Sequence, residues 1–463
     1  MKAYFIRRFL LLIPTLIGIT ILVFSVMRLA PGNPVDKALQ ELAAASEDGG
    51  ASNDNKGDGP DEAAIEALEE QYEWDKPGPI AYLQWLGVKP REIYKVKAEF
   101  ARPQTGDNKS ASGGTSFKEE EEDYDRTVSA RVVTVTDGRW VQVDREGDKV
   151  VKAFFVQSGE DIESEGWTAI VESPMDRLER RARRENKDVS AYSFDPAEKY
   201  KYRAVVYKKK FSGLIQGDLG NSTRYGDSVW SMILDRVPIA LYFGILSTLI
   251  IYGVCIPLGI MKAIGHRSLF DNLTSILIFI GYSIPGFALG GVLLVYLGAS
   301  MEIFPLSGLV SVNFQDLGFW DKVKDLAWHT VLPLICYVVS GFAFLTMMMK
   351  NNLMDNLSAD YVRTAMAKGV SFRKAVTGHA FRNSFIPIAT SLGNLVAIFV
   401  GGSMLIEKVF DIQGFGMLQF QAISDRDHFL IMGTLTISAF LMLIGNILSD
   451  FIVATVDPRI KFN

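Results

Sequence analysis

Residues 360–387, DYVRTAMAKGVSFRKAVTGHAFRNSFIP, form a short basic interlude between two membrane-length apolar stretches. Ser358 is placed to cap a first helix on which Tyr361, Thr364 and Lys368 share a face, with Arg363 and Ala365 beside them, and Gly369 is placed to close it in the left-handed conformation. Ser371 then starts a second helix that carries Arg373, Lys374 and, two turns on, Arg382. Small residues such as Ala365 let the groove of another protein approach the backbone. The stretch therefore reads as a grip by which a soluble partner holds a membrane domain. Its alternative is an ordinary basic loop drawn to anionic lipid.

Working outward, uncharged apolar runs occupy residues 9–27, 237–261, 272–301, 330–349, 383–406 and 429–449. At 1.5 Å per residue, roughly 20 residues cross a hydrocarbon core of about 30 Å. The expectation is an all-α polytopic membrane protein of six transmembrane helices. A mean hydropathy of +0.15 with 22% charged residues fits this, because the charges crowd into residues 35–236 and the short loops. Lys2, Arg7 and Arg8 precede the first run, Lys262 and Arg267 follow the second, and Lys350, Arg363, Lys368, Arg373, Lys374 and Arg382 follow the fourth. The positive-inside rule puts these cytoplasmic, with both termini. Glu302, Asp316, Asp321 and Asp325, then Glu407, Asp411, Asp425 and Asp427, mark the opposite side. The first run is read as an uncleaved start helix, since no A-x-A site closely follows it. The two cysteines, Cys255 and Cys336, fall inside predicted spans as packing residues.

The domain division expected is 1–36 with the first helix, an extracytoplasmic region 37–236, and a membrane core 237–463 with coupling helices at 358–382. Residues 46–60 and 103–125 are polar, glycine-rich or acidic, and read as solvated loops. Between them Ile65, Leu68 and Tyr72 have helical spacing, and Pro77 and Pro79 separate that helix from a second short one. From Thr127 the period becomes two, with Asp137-Gly138 as a hairpin signal, so three or four strands are expected. A basic helix at 176–186 follows, read as a solvated face with i, i+4 ion pairs; lipid headgroups or nucleic acid are its alternative ligands.

The opening YFIRRFLLLIPTLIGITILVFSVMRLAPGNPVD, the segment GDLGNSTRYGDSV at 217–229, the run IYGVCIPLGIMKA, the coupling residues RTAMAKG and HAFRNSFIP, and the closing VDPRI resemble peptide-import permeases of bacterial ABC transporters. EQYEWDKP, FPLSGLVSVNF, WHTVLP and DPRIKF resemble the Yej-type branch most, a branch associated with oligopeptides and the peptide-nucleotide microcin C. The resemblance covers about 1–37, 64–88 and 211–463, and leaves 91–210 as an inserted α+β module at the outer face, where the family's solute-binding protein docks. It implies a type I importer permease in the bacterial inner membrane, working as a heterodimer with a second permease subunit. ATP and Mg would be bound by partner ATPase subunits, and the cargo would be peptide. By the same resemblance the ATPase grips Tyr361, Arg363, Thr364, Ala365, Lys368, Gly369, Ser371 and Arg373. The best-known permease motif begins Glu-Ala-Ala; here Arg363, Thr364 and Ala365 stand in those places, so no acidic contact to the ATPase is implied.

No G-x-x-x-x-G-K-[ST] occurs, so the chain has no phosphate-cradling loop and no enzymatic role is expected. The four histidines, His266, His329, His379 and His428, are scattered, and no metal site is expected. Span interiors nearly free of charge argue against a proton-driven carrier or an ion channel. A path would use uncharged groups: Tyr282, Ser283, Pro285, Ser391 and Asn394 are candidates for it, with helix packing as the alternative role. Pro285 is placed to bend the third span. By resemblance EKVFDIQGFG, with Glu407, Phe410, Gly414, Phe415 and Gly416, forms an extracytoplasmic gate, or else an outer loop that only packs. Nickel or a sugar remains open as cargo. A membrane sensor using the insertion is the reading of another class, and it would call for a cytoplasmic output domain.

Overall fold

Apolar length dictates the first element: α1 (Lys2–Leu29) contains a window from Ile6 of mean hydropathy 2.6. The computed structural model describes residues 2–29, 35, 38–39, 62–100, 127–184, 187–192, 201–391 and 403–456. The polar stretches 46–60 and 103–125, Asn394 and, in the closing VDPRI, all that follows Val456 lie outside these. The chain divides into a unit of Met1–Asp58 with Leu219–Asn463 and a unit of Gly59–Asp218.

The second unit begins with α2 (Glu62–Gln71) and α3 (Gly78–Leu86), separated at Pro77 as the prolines require. Six strands follow where three or four are expected from sequence: β1 (Arg91–Glu99), β2 (Val128–Val133), β3 (Trp140–Glu146), β4 (Lys149–Phe155), β5 (Trp167–Glu172) and β6 (Arg203–Lys210), with α4 (Pro174–Arg184) before the last. They form two antiparallel sheets, ordered β1-β6-β5 and β2-β3-β4, around one core of Val132, Val141, Val143, Phe155, Trp167 and Val206. The two strands absent from the sequence reading have physical reasons for being so. In β6, Ala204 to Tyr207 are all buried, so the strand has no polar alternation. In β1, the cations Lys95 and Lys97 face the acids of α2: Lys97 Nζ lies 2.7 Å from Glu66 and 2.6 Å from Glu70, and Lys95 lies 2.7 Å from Glu70. Burial alone would raise Glu66 and Glu70. Lys97, Arg180 and Arg203 at the first, and Lys95 with Lys97 at the second, hold both below 4.5.

The hairpin marked by Asp137-Gly138 is present, with Thr134 N–H donating to Arg139 O across a loop that begins after Val133. The basic helix differs from expectation. Arg180 pairs with Glu172 and Glu66, and Arg184 with Glu69, so these cations join separate elements rather than one helical face.

The first unit resumes with α5 (Val229–Ile264), α6 (Leu269–Ser283) and α7 (Gly286–Leu293), the last continuing as a π-helical turn Leu294–Ser300. The α6 and α7 axes meet at 90°. Ile284 is extended (φ −99°, ψ 120°), the conformation favoured before proline, and Pro285 has no N–H to continue the helix. Next come α8 (Phe319–Ser358), α9 (Asp360–Ala367), α10 (Phe372–Lys374), a π-helical turn Ala375–Ala380, α11 (Phe381–Ser384) and α12 (Ile386–Ser391). The unit closes with α13 (Met404–Val409), α14 (Phe415–Asp425) and α15 (His428–Val456). Among the described residues three helices are long and apolar enough to cross a membrane, or five if each bent pair counts as one span. The predicted fifth span, 383–406, is described only at its ends.

Candidate functional site: the coupling stretch, the elbow and the Glu407 loop

The basic interlude at 360–387 folds as two short helical segments held by one apolar cluster. Val362, Ala375, Val376 and Ala380 are buried with Leu345, Met349 and Leu353 of α8 and Cys255 and Ala263 of α5. Tyr361, Arg363, Thr364, Lys368, Gly369, Ser371 and Arg373 are exposed, and Ala365 is half-buried. All eight residues assigned to the ATPase grip keep accessible surface. Gly369 has φ +89°, the left-handed conformation expected of it, and Val370 N–H donates to Ala365 O at 3.2 Å. The cap at Ser358 is corrected. α8 runs through Ser358, whose hydroxyl donates to Asp355 O at 2.8 Å, and Ala359 is the N-cap of α9 without a side-chain bond. Ser371 does occupy the N-cap position of α10, again without a side-chain bond.

Tyr282, Ser283 and Pro285 lie together at the elbow; Tyr282 is 60% exposed, and Ser283 donates to Phe279 O at 2.8 Å. Ser391 is held elsewhere, its hydroxyl 3.0 Å from Tyr252 of α5.

The loop from Glu407 turns inward. Glu407 is buried and accepts from Met417 N–H at 2.7 Å and from the Tyr337 hydroxyl at 3.2 Å, while that hydroxyl accepts from Ser403 N–H at 3.0 Å. Phe410 and Phe415 are buried, and Phe410 O accepts from Gly308 N–H at 2.9 Å. A Cβ at Gly414 would lie 2.5 Å from the Glu407 carboxylate and would have to displace it, and one at Gly416 would lie 2.7 Å from Met404 N, so the turn leaves no room for a side chain against the Met404 backbone.

One constellation is absent from the sequence reading. Lys262 and Lys350, counted there among loop cations, are buried within helices, the first in the last turn of α5 and the second inside α8, 0% and 8% exposed, around Asp271, which is 2% exposed. Lys350 Nζ donates to both Asp271 oxygens at 2.7 and 2.9 Å, and Lys262 Nζ lies 3.1 Å from Oδ1. Lys262 also donates to Asp271 O, Thr274 Oγ1 and Ser275 Oγ, each at 2.8 Å. His266 Nδ1 is 3.5 Å from Oδ2, which also accepts from Arg267 N–H at 3.0 Å. The available signal was Ser268 followed by Asp271, a helix start, whose hydroxyl accepts from Asp271 N–H. No group of metal-ligating side chains occurs among the described residues.

The chain thus joins long apolar helices to a short exposed helical stretch, Tyr361–Arg373, that follows α8. Residues 255–462 match the family described as binding-protein-dependent transport system inner membrane component. The inner membrane ABC transporter permease protein YejB of Escherichia coli O157:H7 is 40% identical over 57% of this chain and 74% of its own. The peptidoglycan transport system permease protein YejB of Agrobacterium fabrum is 42% identical over 54% and 69%, and the oligopeptide transport system permease protein AppB of Bacillus subtilis is 33% identical over 56% and 80%. A chain of the MetNI methionine ABC transporter aligns with a TM-score of 0.36 at 16% identity, covering 49% of this chain and 97% of its own. The chain belongs to the ABC transporter permease family, on its Yej-type peptide-permease branch.

Proposed function

We propose that this chain is one half of a heterodimeric pore that imports oligopeptides or peptide-like compounds. Two partner ATPase subunits bind ATP and Mg, close, and push α9 and α10. The cavity between the two permeases then switches its access, and a solute-binding protein releases cargo into it. The observation that carries this reading is the exposed surface at Tyr361–Arg373 in a chain of this family. Both termini are cytoplasmic and the unit Gly59–Asp218 is extracytoplasmic, as the distribution of Lys and Arg indicates. Six spans are proposed for the bundle, one for each uncharged apolar run of the sequence. Peptide cargo follows the names of the relatives, and the Agrobacterium fabrum permease adds cell-wall peptides as the second cargo to test.

The test is gentle purification from the native membrane with mass spectrometry of what stays attached, then uptake of labelled oligopeptides and cell-wall peptides. A second permease and an ATPase with Walker motifs are expected. Recovery of the chain alone, under conditions that preserve other importers, overturns the reading.

The inserted module is proposed to contact the solute-binding protein. Arg91 and Lys210 are register partners at the ends of β1 and β6, so residues 91–210 can be excised and the chain rejoined by a short glycine linker. α3 keeps its seat, because Gln216 donates to Gly87 O at 3.1 Å outside the excised part. The excised chain is expected to assemble with its partners and to bind the solute-binding protein at least about tenfold more weakly, a loss of roughly 1.4 kcal/mol. Unchanged affinity removes the docking role.

A further inference from the structure

The buried cluster at Asp271 joins three helices that have different tasks. On α8, Met349 and Leu353 pack against Val362, Ala375 and Val376 of the coupling stretch. Lys350 lies next to Met349 in sequence and reaches instead to Asp271, in the first turn of α6. Lys262 ties the end of α5 to the same carboxylate. α6 has 15 residues and is about 22 Å long, and its far end is the 90° elbow at Ser283–Pro285. Burying three charges is expensive, and apolar side chains could hold three helices together at least as stably. What charge adds is direction. Lys350 engages both oxygens of Asp271, and Lys262 reaches the same carboxylate together with the carbonyl and hydroxyls of the first two α6 turns, so the start of α6 cannot slide against α8 without breaking the Lys350 bonds, nor against α5 without breaking those of Lys262.

We infer that Asp271, clasped by Lys262 and Lys350, is the positioning joint through which displacement of the coupling stretch reaches the Ser283–Pro285 elbow. The inference rests on the importer reading. Motion of α9 and α10 enters α8 through the apolar cluster, leaves it at Lys350, and swings α6 as a rigid rod. The elbow residues then change their exposure although they touch neither nucleotide nor ATPase.

The experiment uses the full complex with its partners. Ile280, 56% exposed and one turn before the elbow, is replaced by cysteine, while the native Cys255 and Cys336 are buried. Maleimide labelling is compared without nucleotide and after trapping with ATP and vanadate. With the cluster intact, labelling changes several-fold. In Asp271→Asn, ATP hydrolysis continues, uptake falls, and labelling no longer follows nucleotide; Asp271→Glu restores part of the response. Two buried lysines left with one neutral partner could prevent assembly. The triple variant Lys262→Met/Asp271→Leu/Lys350→Met leaves no unpaired charge and carries the decision in that case. It is expected to assemble and to leave the elbow unresponsive. Nucleotide-dependent labelling as in the intact cluster, in either variant, overturns the joint while the importer reading stands. Labelling that ignores nucleotide with the cluster intact, in a complex that hydrolyses ATP, overturns the joint alone; absence of any ATPase partner overturns both.

Discussion

Arg363→Glu leaves the chain folded and assembled and reduces ATP-driven uptake at least about tenfold, a loss of roughly 1.4 kcal/mol of coupling between nucleotide and transport. The side chain is exposed on α9, and the residue before it, Val362, carries the packing, so charge reversal changes the accessible surface and not the core. Gly369→Glu is expected to act at the same place by a different route. Its φ of +89° costs an L-residue about 1–2 kcal/mol. No atom lies within 4 Å of a Cβ built there, so the helix end is strained without being crowded. The check is uptake and ATP hydrolysis measured on one reconstituted preparation. Uptake lost with hydrolysis retained is uncoupling, whereas undiminished uptake in both variants removes the coupling assignment.

The second large effect is expected at the inward-turned loop. Glu407→Ala leaves the Met417 N–H and the Tyr337 hydroxyl without their acceptor, at a cost of about 1–3 kcal/mol per buried group. Gly416→Ala drives a methyl into the backbone of Met404, and main chain yields less readily than a side chain, so about 1–3 kcal/mol is expected there as well. Gly291→Ala, with nothing within 4 Å, is the control and should be close to neutral. Thermal unfolding of the detergent-solubilised complex reads the stability. Proteolysis at 404–416 reads whether the loop has come loose. A Gly416→Ala chain as stable and as resistant as the control would show that the turn is not closed by this contact.

The features legible in the sequence were those set by a single residue's covalent character. Pro285 announced the bend because it lacks an N–H, and Gly369 announced a helix end because it tolerates positive φ. Ser358 misled because a polar residue favours a cap and is also tolerated inside a helix, where its hydroxyl bonds back to Asp355. β1 escaped notice because Lys95 and Lys97 look solvated until α2 supplies Glu66 and Glu70. The Asp271 cluster was invisible for another reason. Its members are spread from 262 to 350, and each alone reads as an ordinary loop charge; only tertiary structure places them on one carboxylate. The Glu407 loop was singled out by resemblance, but its hydrogen bonds to Met417 and Tyr337 were not legible.

The pairing of Arg91 with Lys210 has a bearing on how such a chain arises. A module that departs and returns on adjacent rungs of one sheet can be acquired or discarded by a single in-frame event, with no compensating change in the helices that follow. Descendants of one permease could therefore differ by an entire folded body while their bilayer portions drift only by point substitution, and length would then be a poor guide to kinship among them.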